Sequence, residues 1–243
     1  MNPKINLAIP NRALAIGAHP DDIDFQCGAT LAKWAAAGCE VSYLICTDGQ
    51  KGTWDPNEDL GALVSTRQDE QRRAAKAIGA TGEVVFLGHT DGELENTRSV
   101  RFQIVEWIRR LKPNVVLGHD PWKRYRLHPD HRAAGFLCVD SIVGARDPHF
   151  FPEQNLAHHR PDALLLFEAD EADHFEEVTG FGEHKVNALM QHVSQFITTM
   201  DIQPNDDGTQ AEAFRHRILS QLAATGSLAG LSQAEAYKII EPL

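Results

Sequence analysis

The sequence predicts an α/β protein built on a parallel sheet. Short apolar runs alternate with amphipathic helical patterns along most of the chain, and that alternation is the signature of strands joined by right-handed helical crossovers. Four of the runs are near-continuously apolar, as strands covered on both faces read. No composition shift or linker divides the 243 residues, so one domain over 1–243 is expected.

The first strand is expected at 12–18 (RALAIGA). Residues 25–37 follow as a helix, with Phe25, Gly28, Leu31 and Trp34 every third residue and Gly38 as its stop. A second strand lies at 40–47 (EVSYLICT). The stretch 62–78 sets Leu63, Ala74, Ala75 and Ile78 among charges and ends at Gly79. A third strand is expected at 83–88. Phe102, Val105, Ile108 and Leu111 mark a helix over 98–111 that Pro113 stops. Strands at 114–119 and 163–168 follow. Beyond residue 170 the signal weakens, and helices near 181–199 and 209–224 are expected.

Composition narrows the function. A formal net charge of −11 argues against nucleic acid or an anionic membrane as the main partner. No stretch approaches 18 apolar residues, and the first residues lack a secretory pattern, so a cytoplasmic protein is expected. Cys27, Cys39, Cys46 and Cys138 have no metal-type spacing and read as buried thiols.

Two clusters carry the chemistry. His19, Pro20, Asp21 and Asp22 follow the first strand directly, and His128, Pro129, Asp130 and His131 lie about ten residues past the strand at 114–119. Ligands of parallel sheets bind beyond the carboxyl ends of the strands, so both clusters belong on one edge. Each has a plainer reading alone: an Asp pair caps helices, and a proline suits a first helical turn. Together, two or more imidazoles and several carboxylates suit a zinc-type ion, with one carboxylate left over as a base. Spacing does not tell which of His128 and His131 would bind the metal. A nucleophile elbow, a phosphate loop and an H-E-x-x-H helix are missing, and 180–185 (GFGEHK) lacks the third glycine of a dinucleotide loop.

The chain resembles the LmbE-like or PIG-L family of zinc-dependent N-deacetylases. The resemblance is carried by AHPDD (18–22), TDGQKGT (47–53), TRQDEQRRAAKAIGA (66–80), FLGHTDGEL (86–94) and HDPWKRYRLHPDHRAAG (119–135). It implies a Rossmann-like sheet with helices on both faces, and a small N-acyl amino sugar conjugate as substrate. It implies His19, Asp22 and His131 as zinc ligands and Asp21 as general base. His128 matches the oxyanion or leaving-amine histidine, and Asp130 a residue that orients a histidine. Arg67 and Asp91 match sugar-holding positions, and Trp122 and Arg124 are candidate pocket residues. Homo-oligomers are common in such families. The sequence departs from the family at Ile23 and Asp24, where a glutamate is usual. Two further readings stay open: an amidase that removes a larger acyl group from a sugar–thiol conjugate, and a binding module without turnover.

Overall fold

The computed structural model describes residues 3–243. Its centre is an eight-stranded sheet in the order β1-β7-β8-β6-β5-β2-β3-β4. Five strands fall where the sequence places them: β2 (Arg12–Gly17), β3 (Glu40–Thr47), β4 (Val84–His89), β5 (Val115–His119) and β6 (Ala163–Phe167). They are mutually parallel, with Leu14 opposite Ser42 and Val116. β1 (Lys4–Ile5), β7 (His174–Glu177) and β8 (Ala234–Ile240) complete one side. β8 runs antiparallel to both β6 and β7, so the sheet is mixed.

The strand period of two explains why both faces are covered. Ala13, Ala15, Val115 and Leu117 point into a core with Trp34, Tyr43 and Ala74. Their neighbours Leu14, Ile16 and Val116 point into a second core with Ile104, Ile108 and Leu137. The first core is closed by α1 (Asp22–Ala36), α2 (Leu60–Ala77) and α5 (Gly182–Leu189). The second is closed by α3 (Arg98–Leu111) and α4 (Pro129–Arg146). α6 (Thr209–Ser227) packs against α5 and β8.

Two predicted helices differ in detail. The buried face of α3 is Val100, Ile104, Val105 and Ile108, with Phe102 and Leu111 at its margin. A strict three-residue spacing drifts around a helix of 3.6 residues per turn, and the true face follows the i, i+4 step. The helix expected at 181–199 ends at Leu189, and short turns at 193–195 and 196–200 replace its second half. There the chain turns inward: His192 bonds Asp24 at 3.0 Å, and Ser194 donates to Glu70 from its backbone and hydroxyl at 2.8 and 2.6 Å.

α1 breaks at Cys27 (φ −140°, ψ 15°). A break releases backbone N–H groups that need acceptors. Glu235 on β8 supplies them, accepting from Ala29 and Thr30 at 3.2 and 2.7 Å, and Lys185 pairs with it at 2.6 Å. All four cysteines are free and buried, and among the described residues no helix is long and apolar enough to cross a membrane.

A buried carboxylate ties the short β1 edge to the body. Glu176 accepts from the Leu7 N–H at 2.7 Å and from His174 Nε2 at 2.8 Å, and pairs with Lys33. Burial opposes its charge, but His174 and Lys33 outweigh burial and hold it below the ordinary value of 4.5. A depressed folded pKa gives stability that is present above about 4.5 and lost as pH falls through the folded value. The stability difference between the parent and Glu176→Gln therefore shrinks as denaturant melts are repeated from pH 7 down to pH 4.

Candidate metal centre

The strand order reverses between β2 and β5: the chain runs outward through β2, β3 and β4, then returns to β5 on the other side of β2. Such a switch point opens a crevice at the strand ends. β2 delivers Ala18–Asp22 to it and β5 delivers His119. The Ala18 N–H reaches His119 Nε2 at 3.4 Å. The 128–131 cluster arrives on the first turn of α4, where Pro129 occupies a helical position that needs no N–H donor. Gly135, one turn on, lets α4 press against the end of β5, because a Cβ there would lie 2.7 Å from the His119 carbonyl oxygen.

The result is a triangle of donor residues, in which Asp22 turns one oxygen toward each imidazole. His19 Nδ1 lies 3.2 Å from His131 Nε2 and 3.3 Å from Asp22 Oδ2, and His131 Nε2 lies 3.2 Å from Asp22 Oδ1. With zinc–nitrogen bonds of about 2.0–2.1 Å, adjacent ligands of a tetrahedral ion stand about 3.4 Å apart, so the donors fit a divalent ion of that class. The surrounding groups also fit. His19 Nε2 faces Asp130 Oδ2 and Asp91 Oδ1, each at 3.1 Å, an arrangement that leaves the Nδ1 lone pair on the triangle. Asp130 is itself fixed by the Gly92 and Leu94 N–H groups at 2.6 and 3.1 Å. Burial disfavours a charged His19, yet bonds to Asp130, Asp22 and Asp91 push its pKa up to about 12. These carboxylates thus favour a cation between them. Burial also opposes the Asp22 charge, but His119 and His19 hold its carboxyl well below the usual range.

Asp21 stands beside the triangle. Burial raises its pKa, the Arg67 guanidinium lowers it and the Asp22 charge raises it again, to about 6. His128 is exposed over the opening, its ring 4.6 Å from that of His19 and 4.8 Å from that of His131. Burial and the His19 charge hold it below 6.5. The cavity in front of these groups measures about 590 Å³ and reaches Phe25, Lys51, Gln195 and Thr199.

Arg67 and Asp91 both border the cavity. Arg67 is almost fully buried; it donates to the carbonyls of Gly49 and Pro20 at 2.7 and 2.6 Å and to Asp21 at 3.3 Å. Asp91 is tied to His19 and to the Lys51 N–H. The histidine that Asp130 contacts is His19. Trp122 and Arg124 lie outside the cavity, a correction to the expectation. They line a separate depression with Asp120, Asp170, Glu171 and Lys238. The loop turns outward after Pro121: Trp122 packs edge-to-face on Phe136 of α4, and the Arg124 N–H bonds Asp170. Arg126 is the arginine that reaches the cavity, pairing with Glu168 at 2.6 Å and touching His131 Nδ1.

Sequence reasoning passed over His119 and Glu168. His119 bonds Asp22 at 3.3 Å through Nε2 and Glu168 at 3.1 Å through Nδ1. Each closes an apolar strand run, as the residues before His19 do, and the strand-end argument that singles out His19 applies equally to them.

Residues 14–142 match the PIG-L family, described as GlcNAc-PI de-N-acetylase. The chain is 36% identical over 188 residues to a diacetylchitobiose deacetylase of Thermococcus kodakarensis, covering 76% of this chain and 70% of the relative. It is 33% identical to a 1D-myo-inositol 2-acetamido-2-deoxy-alpha-D-glucopyranoside deacetylase of Streptomyces avermitilis, over 58% of this chain and 56% of that relative. In structure it is similar to N,N'-diacetylchitobiose deacetylase from Pyrococcus horikoshii, with a TM-score of 0.84 at 27% identity, covering 96% of this chain and 85% of the other. The chain belongs to the PIG-L family. The three similar proteins named here are deacetylases.

Proposed function

We propose that this protein is a zinc-dependent N-deacetylase that hydrolyses the acetamide of an N-acetylglucosamine-type sugar to acetate and a free amine. The observation that carries the reading is the donor triangle of His19, Asp22 and His131 with the Asp21 carboxylate beside it. Two imidazole nitrogens and a carboxylate oxygen are a zinc-type set that leaves a position open. When bound, such an ion supplies Lewis acidity, which lowers the pKa of water and polarises an acyl oxygen.

The chain's own groups do the rest. Asp21 in its ionised form takes a proton from the attacking water as the oxygen adds to the amide carbon. His128, facing the opening, donates an N–H to the oxygen that becomes negative. The C–N bond then breaks, and the protonated Asp21 returns its proton to the departing nitrogen. Arg126, Lys51 and Gln195 border the cavity where sugar hydroxyls would lie.

The test is acid release. Incubation of the zinc-loaded protein with N-acetylglucosamine, N,N'-diacetylchitobiose and N-acyl analogues of longer chain is expected to liberate acetate fastest. Release of the longer acid with no acetate would make it an amidase. Binding of the sugars with no acid released would make it a binding module.

A further inference from the structure

Asp21 holds a backbone conformation that side-chain-bearing residues avoid, φ 98° and ψ −32°. Such a turn persists only where its surroundings over-determine it. Two side chains one turn apart on α2 do so. Arg67 donates to the Pro20 carbonyl, and Gln71 Oε1 accepts the Asp21 N–H at 2.8 Å. Gln71 is fully buried and does not border the cavity.

An amide side chain has two ends that can be exchanged by rotation, and only the oxygen accepts. The other end of Gln71 is fixed by Asp24, whose Oδ2 takes the Nε2 hydrogen at 2.7 Å. Asp24 is fully buried too, and it also receives Tyr43 Oη at 3.0 Å and His192 Nε2 at 3.0 Å. A carboxylate accepts and does not donate. Asp24 therefore forces the NH₂ of Gln71 toward itself and the oxygen toward Asp21. Asp24 thus acts on Asp21 through a glutamine.

We propose that Gln71 is a positioning residue for the reaction: held by Asp24, which Tyr43 and His192 anchor in turn, it fixes the strained turn that aims the Asp21 carboxylate. The proposal rests on Asp21 as the base. A misplacement of about 1 Å at a reacting group costs on the order of a hundredfold in rate. Gln71→Met keeps the volume and removes the acceptor. It is expected to lower kcat for acetate release from N,N'-diacetylchitobiose by about ten- to a hundredfold, with KM and zinc per chain unchanged.

A double-mutant cycle separates positioning from general damage. In an Asp21→Asn background, Gln71→Met is expected to cost nothing further. Should Gln71→Met not fold, Gln71→Asn, whose amide sits one methylene short, is read the same way. An unchanged kcat, a loss that persists undiminished in Asp21→Asn, or zinc lost in step with activity would each overturn the proposal. An Asp21→Asn enzyme as fast as its parent would overturn the base assignment itself, a result distinct from any of these.

Discussion

Asp21→Asn is expected to lower kcat for acetate release by about 10²–10⁴ while zinc stays bound. General base catalysis is worth that much, which corresponds to about 3–5 kcal/mol in the barrier. The substitution keeps the shape of the side chain, and its oxygen can still accept from Arg67 Nη2, which lies 3.3 Å from Asp21 Oδ2. What it removes is the capacity to take a proton from water and return it to the amine. Steady-state kinetics beside metal analysis read both quantities. Loss of zinc together with activity would place Asp21 among the ligands instead.

Asp22→Ala has the opposite signature, with zinc lost and turnover lost because of it. The Asp22 carboxylate touches both imidazoles of the triangle, one oxygen toward each, and also receives the His19 N–H at 2.8 Å. Removing it deletes a donor and loosens the other two. Removing an outer partner of a metal ligand costs about 10–100-fold in affinity, so Asp22→Ala is expected to exceed that. Asp91→Asn, which touches only the far nitrogen of His19, is expected to stay within it. Competition for zinc against a chromophoric chelator ranks the three proteins without reference to activity. Equal affinities would remove Asp22 from the donor set.

The parallel half of the sheet was legible because β2, β3, β5 and β6 are buried on both faces and read as apolar runs. β8 was not. Its residues 234–240 (AEAYKII) mix charge with apolar side chains, and its partners β6 and β7 lie some 60 to 70 residues away in sequence. Glu235 and Lys238 look like surface residues in the sequence, yet Glu235 is buried as the acceptor for the broken helix α1. Such a role depends on a break that no local pattern announces.

At the site, adjacency in sequence made the two histidine–aspartate clusters visible, and the fold brings both to one crevice. The residues that spacing could not reach are those that act across the fold. Gln71 and Arg67 lie in a helix rich in charge, where a buried pair looks like any other polar residue. Asp24, which the sequence marks only as a departure from the resembled family, binds three partners. The 120–128 loop misled in the other direction. Trp122 and Arg124 lie close in sequence to His128, but an outward turn carries them to a different depression while Arg126 turns in.

The central claim is that the cavity holds a single catalytic ion on His19, Asp22 and His131. Its most direct test is to strip the purified protein with a chelator and add zinc back in steps, measuring acetate released from N,N'-diacetylchitobiose at each. Release is expected to be abolished by stripping, to return in proportion to added zinc and to level off at about one ion per chain. Release that survives stripping, or that ignores added zinc, would contradict it.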